Sequence, residues 1–169
     1  MQTLETFLQI PGAKVLLYAE GKFRPAINHL VLPNGINVSP DGRTVYVAAT
    51  TPRSLLLYDR DPRSDVLRKR DEIFVGSGAD NLEVDAGGNL WIGAHPKLLL
   101  LNSLRDDPAA RAPSQVLRVS RDSGGGYRVD EVYMNAGDQI AAASVAAVRG
   151  SRLLIGQIFG NGILDCVME

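Results

Sequence analysis

At 169 residues, with 45% apolar and 22% charged residues, the chain has the size and balance of a single folded domain, which excludes an intrinsically disordered segment. A formal net charge of −1, with no basic cluster interleaved with aromatics, excludes recruitment of nucleic acid or an anionic membrane by a global field. The single cysteine, Cys166, excludes an internal disulfide and a cysteine-rich zinc site.

The first twelve residues have neither a basic start nor a long apolar stretch, so they do not read as a secretory signal. No window approaches the roughly 18 apolar residues of a membrane span. The expectation is a soluble protein, cytoplasmic by default, with its natural N-terminus left open. Residues 3–9 could hold a helical turn, and so could 108–112. The remainder is a succession of short apolar runs: 14–19, 36–39, 44–49, 54–59, 72–75, 81–84, 89–93, 97–102, 115–119, 131–134, 153–158 and 163–167. These are of strand length and rich in β-branched and aromatic residues. Pro40-Asp41-Gly42, Ala86-Gly87-Gly88-Asn89 and Arg149-Gly150-Ser151 fall between them at spacings that suit tight hairpins. The chain reads as all-β.

The runs repeat as a unit. Val38, Val84 and Val148 each end a strand, and each is followed by a glycine-containing turn and a second strand. A third strand follows in the first two units, at 55–58 and 98–101. The valines are 46 and then 64 residues apart, the longer gap carrying loops at 105–113 and 121–126. A period near 45 residues with three or four strands per unit favours β-propeller blades over a sandwich. The predicted units are 1–31, the outer strands of one blade, then 32–78, 79–135 and 136–169. About three blades cannot close a ring, since propellers use about four to eight. Self-association, or pairing with N-terminal blades absent from this chain, is therefore expected.

Catalytic resources are sparse: His29, His95 and Cys166, with no G-x-S-x-G elbow for a serine nucleophile. Ser123-Gly124-Gly125-Gly126 lacks the lysine of a phosphate loop and reads as a hairpin tip. Asp59, Asp61 and Asp65 resemble a calcium comb, but Pro62 interrupts them and no glutamate closes the loop, so they read as solvated charges. Four residues before each strand-ending valine stand Asn34, Asp80 (with Asn81 beside it) and Ser144. Equivalent positions on the first strands of successive blades converge near a propeller's axis, and oxygen donors gathered there suit a hard cation such as Ca²⁺. Pro33-Asn34-Gly35 and residues 78–81 read equally well as ordinary turns. Spacing leaves both readings open.

Three stretches carry a family resemblance: N-G-I-N-V-S-P-D-G-R-T-V-Y-V-A (34–48), D-N-L-E-V-D-A-G-G-N-L-W-I-G-A-H-P (80–96) and S-V-A-A-V-R-G-S-R-L-L-I-G-Q-I-F (144–159). They resemble the C-terminal half of the paraoxonase/arylesterase family. The first is shared with gluconolactonase-like propellers; the Asp-Asn start and His-Pro end of the second point to paraoxonases. The resemblance implies a six-bladed propeller with calcium in its channel, acting on a small-molecule ester or lactone. Asn34, Asp80 and Asn81 match calcium ligands of that family. Asp80 also matches a carboxylate proposed as base or nucleophile, and His95 and Ser144 match the pocket wall. The family's catalytic histidine pair, its further ligands (a Glu and an Asn) and its second calcium site have no counterpart in this sequence. His29 matches no family motif and is expected at the surface or in local packing. Cys166 matches a cysteine that is bridged in animal members, and is expected in this chain as a free thiol. The resulting expectation is a calcium-dependent ester or lactone hydrolase, incomplete as this chain. The alternatives are a non-catalytic propeller remnant and a gluconolactonase-like sugar-lactone hydrolase.

Overall fold

In the computed structural model, which describes residues 8–103 and 111–168, the apolar runs between turn residues form antiparallel meanders. Strands β1 (Ala13–Ala19) and β2 (Lys22–Leu30) make a two-stranded sheet. Strands β3 (Pro33–Val38), β4 (Thr44–Ala49), β5 (Ser54–Arg60) and β6 (Leu67–Phe74) make a four-stranded one. A second four-stranded sheet contains β7 (Gly78–Val84), β8 (Leu90–His95), β9 (Ser114–Arg121) and β10 (Tyr127–Asn135). The last sheet holds β11 (Ala141–Arg149), β12 (Arg152–Phe159) and β13 (Leu164–Val167). Within each sheet every strand pairs with its neighbours in sequence, as in propeller blades.

Turn chemistry sets the meanders. Gly150, at φ +61°, lets Arg149 pair with Arg152 across a two-residue hairpin. At the β7–β8 turn Gly88, at φ +80°, donates its N–H to the Asp85 carbonyl at 3.0 Å. The Ser123–Gly126 stretch is the β9–β10 hairpin tip, with Asp122 accepting the N–H groups of Gly124 and Gly126 at 2.8 Å.

The four sheets stack face to face in chain order, which explains why inner strands lack a polar/apolar alternation. On β4 and β5, Val45, Val47, Leu56 and Tyr58 pack toward Ile27 and Leu30 of β2. Ala48, Leu55 and Leu57 pack the other way, onto Leu82, Ile92 and Leu117 of the next sheet. Trp91, Val116, Ala146, Leu153 and Ile155 fill the following interface. A sheet covered on both faces reads as a continuous apolar run.

One expected strand is a helix. The leucines of 97–102 suggest an extended run, but Leu98–Ser103 forms the short helix α1, and the third strand of its sheet is β9. Pro96 directly after β8 removes a ladder N–H, and leucine without β-branched neighbours favours helix. Leu98 and Leu101, one turn apart, pack inward against Ala112 and Ala142. The helical turns expected at 3–9 and 108–112 lie for the most part outside the described residues.

Candidate functional site

The innermost strand of each large sheet breaks register at one place. On β3, Pro33 pairs with Ala49 and Ile36 with Val47, so Asn34 and Gly35 together face Ala48. On β7, Ala79 pairs with Ala94 and Leu82 with Ile92, so Asp80 and Asn81 together face Gly93. On β11, Ala143 pairs with Gln157 and Val145 with Gly156, leaving Ser144 as the extra residue. Each is a β-bulge, a device that re-aims side chains. The candidate residues therefore sit on bulges within strands and not in connecting turns. A register break cannot be read from a single strand's sequence, which is why Asn-Gly and Asp-Asn also suggest turns.

The bulged strands lie against one another. Gly35 backs onto β7 so closely that a Cβ there would sit 2.6 Å from the Asp80 carbonyl oxygen. Asp80 is buried, with its side chain 6% exposed, and its Oδ2 lies 3.0 Å from Nε2 of His95, itself 3% exposed. Nδ1 of His95 is buried with no hydrogen-bond partner among the described residues. Asn81 donates from Nδ2 to Oδ1 of Asp80 at 3.3 Å, to Oγ of Ser144 at 3.1 Å and to its carbonyl at 3.3 Å. Asn34 is exposed and donates from Nδ2 to Oγ1 of Thr50 at 3.4 Å. A cavity of about 170 Å³ is lined by Asn34, Thr50, Asp80 and His95, with Leu98 and Leu101 of α1 and Ile158 as apolar wall. Asp80, Asn34 and His95 thus share one cavity, while Asn81 and Ser144 join through hydrogen bonds beside Asp80.

The donor set is made of oxygens, with one carboxylate. Among the described residues Asp80 has no Lys or Arg ion-pair partner, and His95 is its only one. A buried carboxylate so placed calls for a proton, a charged histidine or a cation. No group of three or more His, Cys, Asp or Glu gathers among the described residues, so a cation here would rest on Asp80 and amide oxygens. That chemistry fits a hard cation and not zinc.

Two features of the cavity have no signal in the sequence pattern: Thr50, and the α1 leucines, whose run has the length of a strand. The remaining polar candidates lie elsewhere. Asp59 and Asp65 pair with Arg70 at 2.8 Å and Arg60 at 2.6 Å. His29 is exposed on β2, and Cys166 is a half-buried free thiol.

The arylesterase family profile matches residues 1–167. The chain belongs to the arylesterase family. Among curated arylesterase relatives, rat serum paraoxonase/arylesterase 2 is 29% identical over 96% of this chain and 46% of its own length. Rabbit serum paraoxonase/lactonase 3 is 34% identical over 98% of this chain and 46% of its own length. The chain spans about half the length of the curated relatives it matches. Among solved structures, the calcium-binding protein regucalcin from Agrobacterium tumefaciens superposes with a TM-score of 0.56 at 22% identity. That match covers 86% of this chain and 44% of regucalcin and supports the fold alone. Among the described residues of this arylesterase-family chain, no helix is long and apolar enough to cross a membrane.

Proposed function

We propose that this chain carries part of the site of a calcium-dependent hydrolase of small-molecule esters or lactones, with 32–78, 79–135 and 136–169 as successive blades and 1–31 as the end of a preceding one. The observation that carries the reading is the buried Asp80 carboxylate, which faces a cavity with no Lys or Arg ion-pair partner among the described residues. Family membership supplies the reaction class, since the relatives are named arylesterases, paraoxonases and lactonases.

Asn34, Asp80 and Asn81 would hold the cation through side-chain oxygens. Calcium, when bound, supplies Lewis-acid polarisation of the substrate oxygen and stabilises the charge that develops there. With Asp80 ionised, Nε2 of His95 carries the proton that bonds it. Burial of the pair holds both groups in one geometry. Asp80 is the carboxylate we assign as base or nucleophile. Leu98, Leu101 and Ile158 form an apolar wall that accepts the non-reacting part of an ester or lactone and excludes water from it. Ser144 supports Asn81 beside the pocket. The apolar side chains exposed on the end sheets among the described residues also favour pairing with another copy or with further blades.

The experiment is terbium and calcium titration of the chain and its Asp80→Asn variant, with hydrolysis of phenyl acetate and a medium-chain lactone measured with and without EDTA. Cation binding lost in Asp80→Asn supports the site; binding unchanged by that substitution overturns it. Hydrolysis by the chain alone is expected to be absent, because the catalytic histidine pair that the family resemblance implies, acid–base help worth about 10²–10⁴-fold, has no counterpart in this sequence. EDTA-sensitive turnover that also needs Asp80 would show that the chain already holds the complete catalytic set.

A further inference from the structure

Thr50, just past the end of β4, touches two sheets through one hydroxyl. Its Oγ1 lies 2.7 Å from the Ala79 carbonyl oxygen on β7 and 3.4 Å from Nδ2 of Asn34 on β3. A hydroxyl has a single proton, and a carbonyl oxygen can only accept. The Thr50 proton is therefore committed to Ala79, the residue before Asp80. Toward Asn34 the hydroxyl offers only lone pairs. Asn34 must answer with its NH₂ group; turned over, its carbonyl would face those lone pairs with no hydrogen between them. The amide oxygen of Asn34 is left with no donor among the described residues, on the cavity it shares with Asp80.

We propose that Thr50 is a positioning residue that fixes the Asn34 amide with its oxygen available for a cation beside Asp80. The inference rests on the cation site proposed above. Asn81 obeys the same rule by a different route: its NH₂ faces the Ser144 carbonyl and the Asp80 carboxylate, both acceptor-only, besides the Ser144 hydroxyl. Its orientation survives loss of the serine hydroxyl. Among the described residues Asn34 has Thr50 as its only such partner. The two amides differ in what holds them, and that difference is measurable.

The test is terbium luminescence titration, with calcium as competitor, of the whole chain and its Thr50→Val, Thr50→Ser, Ser144→Ala, Asn34→Ala, Asn34→Ala/Thr50→Val and Asp80→Asn variants. Groups that orient a metal ligand typically contribute about 10–100-fold in affinity. Thr50→Val is expected to weaken binding about tenfold, at the lower end of that range. Thr50→Ser, which keeps the hydroxyl, restores it, and Ser144→Ala, which leaves the Ser144 carbonyl and the Asp80 carboxylate to hold Asn81, weakens it less than Thr50→Val does. In the Asn34→Ala background Thr50→Val has no further effect, because no amide remains to orient. If Thr50→Val binds like the wild type, the inference fails. It fails too if Thr50→Val weakens binding equally with and without Asn34, since Thr50 would then merely tie two sheets together. Binding unchanged in Asp80→Asn overturns the underlying site instead, so the two failures are distinguishable.

Discussion

Gly93 on β8 lies directly against Ser144 on β11: a Cβ on Gly93 would sit 2.4 Å from the Ser144 carbonyl carbon and 2.5 Å from the Val145 nitrogen. Gly93 is also the residue facing the Asp80–Asn81 bulge, so one hydrogen atom in place of a side chain lets three elements of the site meet. Gly35 holds the corresponding place between β3 and β7. Neither glycine has positive φ, so the cost of alanine there is steric and falls on backbone atoms that cannot swing aside. Gly93→Ala and Gly35→Ala are each expected to destabilise by about 1–3 kcal/mol or more, the usual range for overpacking. Gly12→Ala, with nothing within 4 Å of the added atom, should stay within about 0.5 kcal/mol of the wild type. Urea denaturation midpoints decide; a Gly93→Ala midpoint equal to that of Gly12→Ala would mean that the sheets stand farther apart.

Asp85 closes the β7–β8 turn and anchors Trp91. Its Oδ2 accepts the indole N–H of Trp91 and the amide of Asn89, each at 2.9 Å, while Oδ1 accepts the backbone N–H groups of Gly87 and Asn89. Burial pushes the Asp85 carboxyl up, but these donors outweigh it and hold the group below its ordinary value. Asp85→Ala leaves the indole donor of a Trp91 that is 4% exposed without its partner, a cost of about 1–3 kcal/mol. A depressed folded value makes this contribution complete above the unfolded-state value near 3.8 and lost as pH falls through the folded one. Thermal melts of wild type and Asp85→Ala should therefore differ most at pH 7, and the difference should begin to narrow only as pH falls below about 4, the ordinary carboxylate range. A constant difference across that range would assign the loss to packing.

The stacked meanders are legible in the sequence because the hairpin glycines and the spacing of Val38, Val84 and Val148 are local signals. Outer strands are less so. β2 carries four consecutive exposed residues, Lys22, Phe23, Arg24 and Pro25, and β6 begins at Leu67, well before the apolar 72–75, because an outer strand is held by backbone pairing without needing an apolar run. The 97–102 leucines mislead because a short apolar run does not distinguish strand from buried helix. At the site, residue types and their offset from the valines place Asn34, Asp80 and Ser144 on equivalent strands. The bulges, the His95–Asp80 contact and the Thr50 hydroxyl depend on register between strands distant in sequence, and no local pattern encodes them.

The two ends of the stack present apolar faces. On the β1–β2 sheet Leu16, Tyr18 and Phe23 are exposed, Phe23 by 72%. On the last sheet Leu154 and Val167 are exposed, Val167 also by 72%. Contiguous apolar surface beyond a few hundred Å² promotes association, and open strand edges add a second route. This chain alone should associate at tens of micromolar, roughly the range in which such surfaces aggregate. Light scattering across a dilution series reads the mass, and Phe23→Glu with Val167→Asp should shift it toward the monomer. A monodisperse wild-type monomer throughout would count against an exposed, sticky stack.

Calcium binding by this chain alone should be weak. Calcium takes about six to eight oxygens, and its affinity rises with ligand charge and rigidity. Asn34, Asp80 and Asn81 offer one side-chain oxygen each unless Asp80 binds through both of its own, and Asp80 alone is charged. One Asp80 oxygen already faces His95 and the other accepts from Asn81, so part of its capacity is in use. Asn34, on the exposed face of β3, is the least rigidly held of the three. Water must complete the shell, which places the dissociation constant on the order of 10⁻⁴–10⁻³ M, the range of low-affinity calcium modules. At about 1 mM calcium the linked stabilisation, RT ln(1 + [L]/Kd), is then only about 0.4–1.4 kcal/mol. Isothermal titration and paired thermal melts measure both quantities. Stoichiometric micromolar binding to a monomer, abolished by Asn81→Ala, would mean that these bulged strands already form a complete shell, with ligands beyond Asn34, Asp80 and Asn81.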